Sequence, residues 1–471
     1  AAARGAARRG AWAAARAAPA GAAAKAVGAR PSALGRGLGA RAGPAGKPRR
    51  GEAARARAGI AIAADAAWIL TCSALVLFMT LPGLSAFYGG LVRRKNQLSV
   101  FMQCLACACV MSVMWFAFGY SLCFTDAPNA PVGDLSKAFM RGITMDSLVE
   151  TLPEALWALY QMTFAVITPA LMIGSFVERM KFNSSILYMA LWSVAVYYPA
   201  CHLIWGGGAL GTAGVIDFAG GLVVHLTAGV GALMGAYMVG PRKNTSMVPG
   251  NILLTLLGTG MLWVGWFGFN GGSAAAAGAG AAFANLVTHL SASMAGLVWL
   301  LLDYQDTGKT SAIGLCTGAV AGLAAITPAA GSVGPLGGIL IGALSAVICR
   351  FASTTVKKKF GYDDSLDVVG VHGVGGLVGT IALAIFGAPM FGGFMTEPIV
   401  QQLGIQAAAS LGLGVYTAIA SYVCLKITSA ITGGLRVPDE VETGPDGLDG
   451  FCHGEACYTL EEGERLRVKV V

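Results

Sequence analysis

Eleven apolar stretches of eighteen or more residues recur between about residue 66 and residue 431. Each is long enough for a helix to cross a hydrocarbon core about 30 Å thick. They fall at 66–92, 97–124, 153–177, 184–206, 216–239, 249–271, 279–302, 310–328, 333–351, 366–388 and 404–431. Inside a bilayer each backbone N–H and C=O must find a partner, so continuous apolar segments of this length read as helices. The chain is 55% hydrophobic and only 12% charged, with mean hydropathy +0.66. A soluble domain carries roughly twice that charged share. The expected fold class is an all-α polytopic membrane protein. Its 67 glycines favour close helix contact through small residues.

The chain divides into three parts. Residues 1–58 form an Ala/Arg-rich head with eleven Arg, two Lys and a single acid, Glu52. The head reads as a disordered or targeting segment, although it is poor in Ser. Residues 59–431 form the eleven-helix domain, and residues 432–471 form a cytoplasmic tail. Without the head, 19 bases face 23 acids, a net charge of −4. The basic balance therefore belongs to the head and says nothing for nucleic acid.

The loops set the orientation. Arg93, Arg94 and Lys95 follow the first span, Arg179 and Lys181 the third, and Arg242 and Lys243 the fifth. Lys309 follows the seventh, Arg350 and Lys357 to Lys359 the ninth, and Arg436 the eleventh. The intervening connections hold only Lys137 and Arg141, among Asp126, Asp134, Asp146 and Glu150. By the positive-inside rule the first set is cytoplasmic. The core then starts outside and ends inside. A head of thirteen bases would have to cross the membrane, and its removal before or during insertion resolves that conflict.

Eleven spans divide as five, five and one. Five is odd, so the second five run opposite to the first: two five-helix inverted repeats plus a final helix. The fifth and tenth spans correspond, and each carries an Asp followed eight residues later by a His. One reads Asp217-Phe-Ala-Gly-Gly-Leu-Val-Val-His225, the other Asp364-Ser-Leu-Asp-Val-Val-Gly-Val-His372. Eight residues of helix rise about 12 Å. Entering from opposite faces, both histidines reach the middle of the bilayer, where an ionisable pair is a functional site by default. Two neutral imidazoles in contact can share one proton. The plain alternative is a pair of packing histidines. Gly229, Gly231 and Gly235 follow one His, and Gly373, Gly375, Gly376 and Gly379 the other, which suits close helix approach.

Asp217 suits a helix N-cap and also suits a carboxylate that sets the field at an outer mouth; the two roles are compatible. Asp364 and Asp367 read as cap or surface residues. Tyr160, Phe164, Trp205, Trp266 and Phe269 cluster toward the outer ends of spans three to six. An interfacial aromatic belt explains Trp and Tyr there. Phe164 and Phe269 lie deeper, beside Gln161, Thr163, Asn270 and Ser273, where rings can attract a small cation or gate a pore. His202 and His289 have no repeat partner and read as packing or surface residues. The eleven cysteines mostly sit in apolar spans as small fillers, and Cys452, His453 and Cys457 lack a second complete pair of metal ligands. No HExxH, and no GxSxG beside a plausible base, points to an enzyme. No metal or cofactor is expected.

The segments Asp217 to His225 with Leu-Thr-Ala-Gly after it, Phe176-Val-Glu-Arg-Met, Trp266-Phe-Gly-Phe-Asn-Gly-Gly-Ser273 and Gly370-Val-His372-Gly-Val-Gly-Gly resemble the signatures of Amt/Mep ammonium transporters. The resemblance spans about residues 65–457. It implies a homotrimer in the lipid bilayer with one ammonium or ammonia pore per subunit. It implies an outer ammonium site at Trp205, Ser273, Tyr160 and Asp217, with Tyr160 standing where many relatives have Phe. Phe164 and Phe269 become the stacked gate, and His225 and His372 the twin histidines of the pore. Gly434-Leu-Arg-Val-Pro and Gly447-Leu-Asp-Gly-Phe-Cys-His453-Gly-Glu resemble the family's regulatory tail, which contacts the neighbouring subunit and can receive a cytoplasmic regulatory protein. Phe451 replaces the phosphorylatable Thr of plant relatives, leaving Thr443 and Thr459. The alternatives are an ammonium sensor and a Rhesus-type neutral ammonia channel. Plasma membrane is the default location, and the Arg-rich head keeps a plastid envelope open.

Overall fold

The computed structural model describes residues 50–127, 130–246 and 248–458. The chain divides into two units, Ala1–Ala64 and Asp65–Val471. Of the first, residues 50–64 are described and are helical. The rest of the basic head, with the disordered or targeting reading made for it, lies outside the described residues. All that follows concerns the second unit.

Among the described residues ten helices are long and apolar enough to cross a membrane. They are Ile62–Leu91, Arg94–Phe124, Glu154–Phe176, Phe182–Thr212, Gly221–Val239, Ile252–Gly272, Ala279–Thr307, Pro335–Phe360, Val369–Phe386 and Ile399–Thr432. The eighth expected span forms the shorter helix Ala312–Ile326, of 15 residues. It stops there because Pro328 follows: proline has no N–H to bond back to the preceding turn. Eleven apolar helices therefore stand in the expected order. In the connection after the second, Leu148–Val149 and Leu152–Pro153 pair as a minimal antiparallel ribbon.

Buried ion pairs show which helix ends meet. Glu178, after the third span, accepts from the Arg93 backbone N–H at 2.9 Å, from Asn96 Nδ2 at 3.1 Å and from Arg242 Nη1 at 3.0 Å. Arg242 also forks onto Asp363 with two 2.9 Å bonds. Arg179 donates to the carbonyls of Gly240 at 2.7 Å and Ser175 at 2.9 Å, and to Ser365 Oγ at 2.8 Å. The ends of spans one, three and five thus share one knot with the start of span ten. The start of span five lies instead beside Trp205, at the end of span four. Spans five and ten therefore run in opposite directions. Buried Glu178 and Arg179 explain the Phe176-Val-Glu-Arg-Met motif: where helices stop, Glu178 accepts from a backbone N–H and Arg179 donates to backbone carbonyls.

Spans five and ten touch through backbone. A Cβ on Gly229 would lie 2.2 Å from Gly373 Cα, and one on Gly376 would lie 2.5 Å from Gly221 O and 2.8 Å from His225 Cβ. The other glycines of the two stretches serve different neighbours. Gly231 faces Met172 and Trp192, Gly235 faces Phe176, and Gly379 faces the Ala325 carbonyl. Both spans open with a wide π turn, Gly221–Leu226 and Val369–Val374. A left-handed residue stands three positions after each aspartate: Gly220 with φ +117° and Asp367 with φ +59°. Wide turns of this kind often mark functional positions in helices, and here each carries one histidine of the pair.

Candidate functional site

The two histidines meet. His225 Nδ1 and His372 Nδ1 lie 3.2 Å apart, with ring planes 18° from parallel. Both rings are buried. Two nitrogens at that distance need one donor and one acceptor, so the pair holds a single proton between them. His225 Nε2 makes no hydrogen bond with the described residues. The pair lines a narrow cavity with Ile167, Leu171, Val224 and Leu262, so the imidazoles are the polar element of an otherwise apolar wall.

A column of rings leads away from the pair toward the start of span five. Phe269 is 6.0 Å from His225 between centroids, Phe164 is 4.3 Å from Phe269, and Trp205 is 5.8 Å from Phe164. Phe164 and Phe269 are fully buried, with their rings tilted at 34° to each other. They stand between the half-buried Trp205 and the histidines, where a gate would have to stand.

Trp205 is held at its edge. Its Nε1 donates to the Asp217 carbonyl at 2.8 Å, so the indole N–H is committed and the ring face remains for a partner. Tyr160 is buried, with its hydroxyl 3.0 Å from the carbonyl oxygens of Gly268 and Phe269 and 3.3 Å from Ser273 Oγ. It braces the end of span six. Ser273 itself donates to the Phe269 carbonyl at 2.9 Å.

Asp217 is a complete cap. One carboxylate oxygen accepts from the amides of Gly220 and Gly221 at 2.9 and 2.6 Å, the other from Leu222 and Val223 at 2.9 and 3.0 Å. Four orphan amides of the first turn meet one carboxylate. Asp364 caps less fully: one oxygen accepts from Val369 N at 2.7 Å, and the other is buried without a hydrogen bond. At the basic knot, burial alone would push the Asp363 carboxyl up. The bonds from Arg242 and the charges of Arg179 and Arg242 outweigh that and hold it below the usual range.

Two groups of residues carry no site role on sequence alone. Trp266 had been placed in the aromatic belt, yet it stacks on His225 at 5.5 Å and 20°, with its Nε1 bonded to Thr327 Oγ1 at 2.9 Å. Gln402 and Gln406, on span eleven, are fully buried beside the Asp217 segment. Polar amides four residues apart in an apolar span were the signal available. Of the unpaired histidines, His202 is buried, with its ring nitrogens 3.1 and 3.0 Å from the carbonyls of Cys123 and Ala127. His289 is exposed beside Trp263.

The tail packs on its own chain. Asp449 accepts from the first amides of span two, Leu98 at 3.0 Å and Ser99 at 2.8 Å. Lys95 Nζ donates to the Glu442 carbonyl at 2.8 Å, and His453 meets Phe182 at 5.0 Å. Phe451 and Thr443 are exposed, and Thr459 lies outside the described residues.

A profile described as the Ammonium Transporter Family matches residues 67–458. The chain belongs to the ammonium transporter family. It is 44% identical to a protein named Ammonium transporter from Aquifex aeolicus, over 84% of this chain and 93% of that one. The fold is similar to the crystal structure of Candida albicans Mep2, with TM-score 0.74 and 34% identity over 80% of this chain and 87% of that one. It is also similar to a structure described as a Sensor Amt Protein, with TM-score 0.77 and 29% identity over 83% and 98%. This member of the family is a multi-pass membrane protein.

Proposed function

We propose that this ammonium transporter family member moves ammonium nitrogen through a pore in its own subunit, from Trp205 to the histidine pair. The observation that carries this reading is the 3.2 Å contact of His225 and His372 at the end of an unbroken column of aromatic rings. Ammonium is selected at the outer end by the indole face of Trp205 and the Ser273 hydroxyl, with Tyr160 bracing the Ser273 end of span six and the Asp217 charge favouring a cation. Cations bind aromatic faces by about 2 kcal/mol or more once desolvated. A bare charge does not cross an apolar wall cheaply; the idealised cost is tens of kcal/mol. Ammonium therefore gives up a proton at the mouth, to water on the outer side. Ammonia passes when Phe164 and Phe269 part, and the imidazoles meet it with donor and acceptor groups. A proton passing separately through the shared His225–His372 bond would make transport electrogenic.

We further propose how the protein assembles and sits in the membrane. The protein is a homotrimer of the plasma membrane, with the core N-terminus outside and the tail in the cytoplasm. Residues 1–58 are a removable head, 59–431 the transporter domain and 432–471 a regulatory tail. A second reading, ammonium sensing, draws on the similarity to the sensor structure.

The test is ammonium-evoked current and uptake in oocytes expressing the full chain, with Asp217→Ala as control. A saturable inward current absent from the control supports charge-coupled transport. Uptake or a pH change without current supports neutral ammonia conduction. Neither signal from a trimer at the cell surface would remove the transport reading and favour the sensor.

A further inference from the structure

The eleventh span has no counterpart in the repeat, yet it reaches the outer site. Gln406 Nε2 donates to the Ile216 carbonyl at 2.7 Å, and the Ile216 N–H donates to Gln406 Oε1 at 3.0 Å. One side-chain amide thus pairs with both backbone groups of one residue, as a neighbouring strand would. Gln402 extends the pairing: its Nε2 donates to the Gly214 carbonyl at 3.0 Å and to Gln406 Oε1 at 3.2 Å. Both glutamines are fully buried. Ile216 is followed by Asp217, whose carbonyl receives the Trp205 indole at 2.8 Å and whose carboxylate caps the turn carrying His225. The position of Trp205 therefore depends on a peptide that Gln406 holds.

The matching segment of the second repeat is held by different chemistry. Lys357 Nζ donates to the Asp364 carbonyl at 3.1 Å, as Trp205 does to that of Asp217, and Arg179 donates to the Asp363 carbonyl. Cations do there what an indole and a neutral amide do at the outer end. A fixed positive charge beside Trp205 would repel a cationic substrate; glutamine gives the same backbone support without it.

We propose that Gln406 is a positioning residue that sets the affinity and selectivity of the outer site through the Ile216–Asp217 peptide. The inference rests on the transport reading above. On this proposal the Gln406 clamp fixes where the Trp205 face stands, and a shift of that face alters how well ammonium is told from the bulkier methylammonium.

The experiment compares full-length wild type, Gln406→Leu and Gln406→Glu in cells lacking their own ammonium uptake. It measures the concentration dependence of ammonium uptake, competition by methylammonium and the amount at the surface. Loss of a buried bond should raise the half-saturating ammonium concentration about tenfold in Gln406→Leu. Maximal rate per surface molecule should change far less, and the preference for ammonium over methylammonium should shrink. Gln406→Glu keeps the acceptor for Ile216 N–H and loses the donor, so it should fall between. Wild-type values in Gln406→Leu, or a fall in maximal rate alone, would overturn the proposal. Should Gln406→Leu fail to reach the surface, Gln406→Glu decides by the same two readouts. Wild-type uptake with unaffected variants sinks this proposal alone. A surface-expressed wild type that takes up nothing sinks the transport reading and this proposal together.

Discussion

Gly229 and Gly373 meet backbone to backbone, so closely that a Cβ on the first would lie 2.2 Å from the Cα of the second. This contact sets the spacing between spans five and ten, and so the 3.2 Å between His225 and His372. Gly229→Ala should push the spans apart. Overpacking of this kind costs about 1–3 kcal/mol. The melting temperature in detergent should fall and ammonium uptake with it, whereas Gly404→Ala, where a Cβ meets open space, should leave both unchanged. A Gly229→Ala protein with wild-type uptake would show that the spacing is not critical.

The histidine pair should matter for passage more than for assembly. His225→Ala leaves the glycine contacts in place and removes one partner of the shared proton. Uptake should fall about tenfold or more, as expected for loss of a polar group from an apolar passage, while the proposed trimer still forms. Uptake assays paired with native mass measurement of the purified protein check this, and unchanged uptake would return the pair to a packing role.

Asp217 offers a way to separate cap from charge. Asp217→Ala strips four amides of their acceptor and should cost about 1–2 kcal/mol or more of stability. Asp217→Asn keeps one acceptor oxygen and removes the charge. Thermal melts should rank wild type above Asn and Asn above Ala. If Asn melts near wild type but transports no better than Ala, the charge itself serves transport. Transport that follows the melting order instead assigns the residue to the cap.

Asp364 should contribute stability that falls as pH rises from about 4 to about 6. Burial pushes its carboxyl from 3.8 up to about 6, against the charge of Lys357 and with that of Asp367. Between those values the folded chain keeps a proton that the unfolded chain has released. The contribution is therefore fully present below about pH 4 and lost through about pH 6. Its size is at most about 3 kcal/mol. Asp364→Asn should flatten this part of the melting profile, and an unaltered slope would exclude Asp364 as its source.

Much of the architecture could be read along the chain because a bilayer leaves few choices. Apolar length marks the spans, and alternate basic loops predicted the helix ends that meet at Glu178, Arg242 and Asp363. Five spans per repeat, an odd number, predicted that spans five and ten run in opposite directions, and the ion pairs agree with that opposition. The eighth span came out short because Pro328 ends its helix.

What the sequence by itself determined was therefore one-dimensional: eleven apolar segments, their alternating ends, and two matching stretches with a histidine in each. These are properties of neighbours along the chain, set by backbone hydrogen bonding in lipid and by charge at the loops. The tertiary structure decided which distant groups touch. His225 and His372 are separated by 147 residues, and Gln406 and Ile216 by 190. Trp266 could be read only as an interfacial aromatic until packing laid it against His225. Such contacts depend on helix rotation and on the glycines that let backbones close, and no local pattern encodes the rotation of one helix against another.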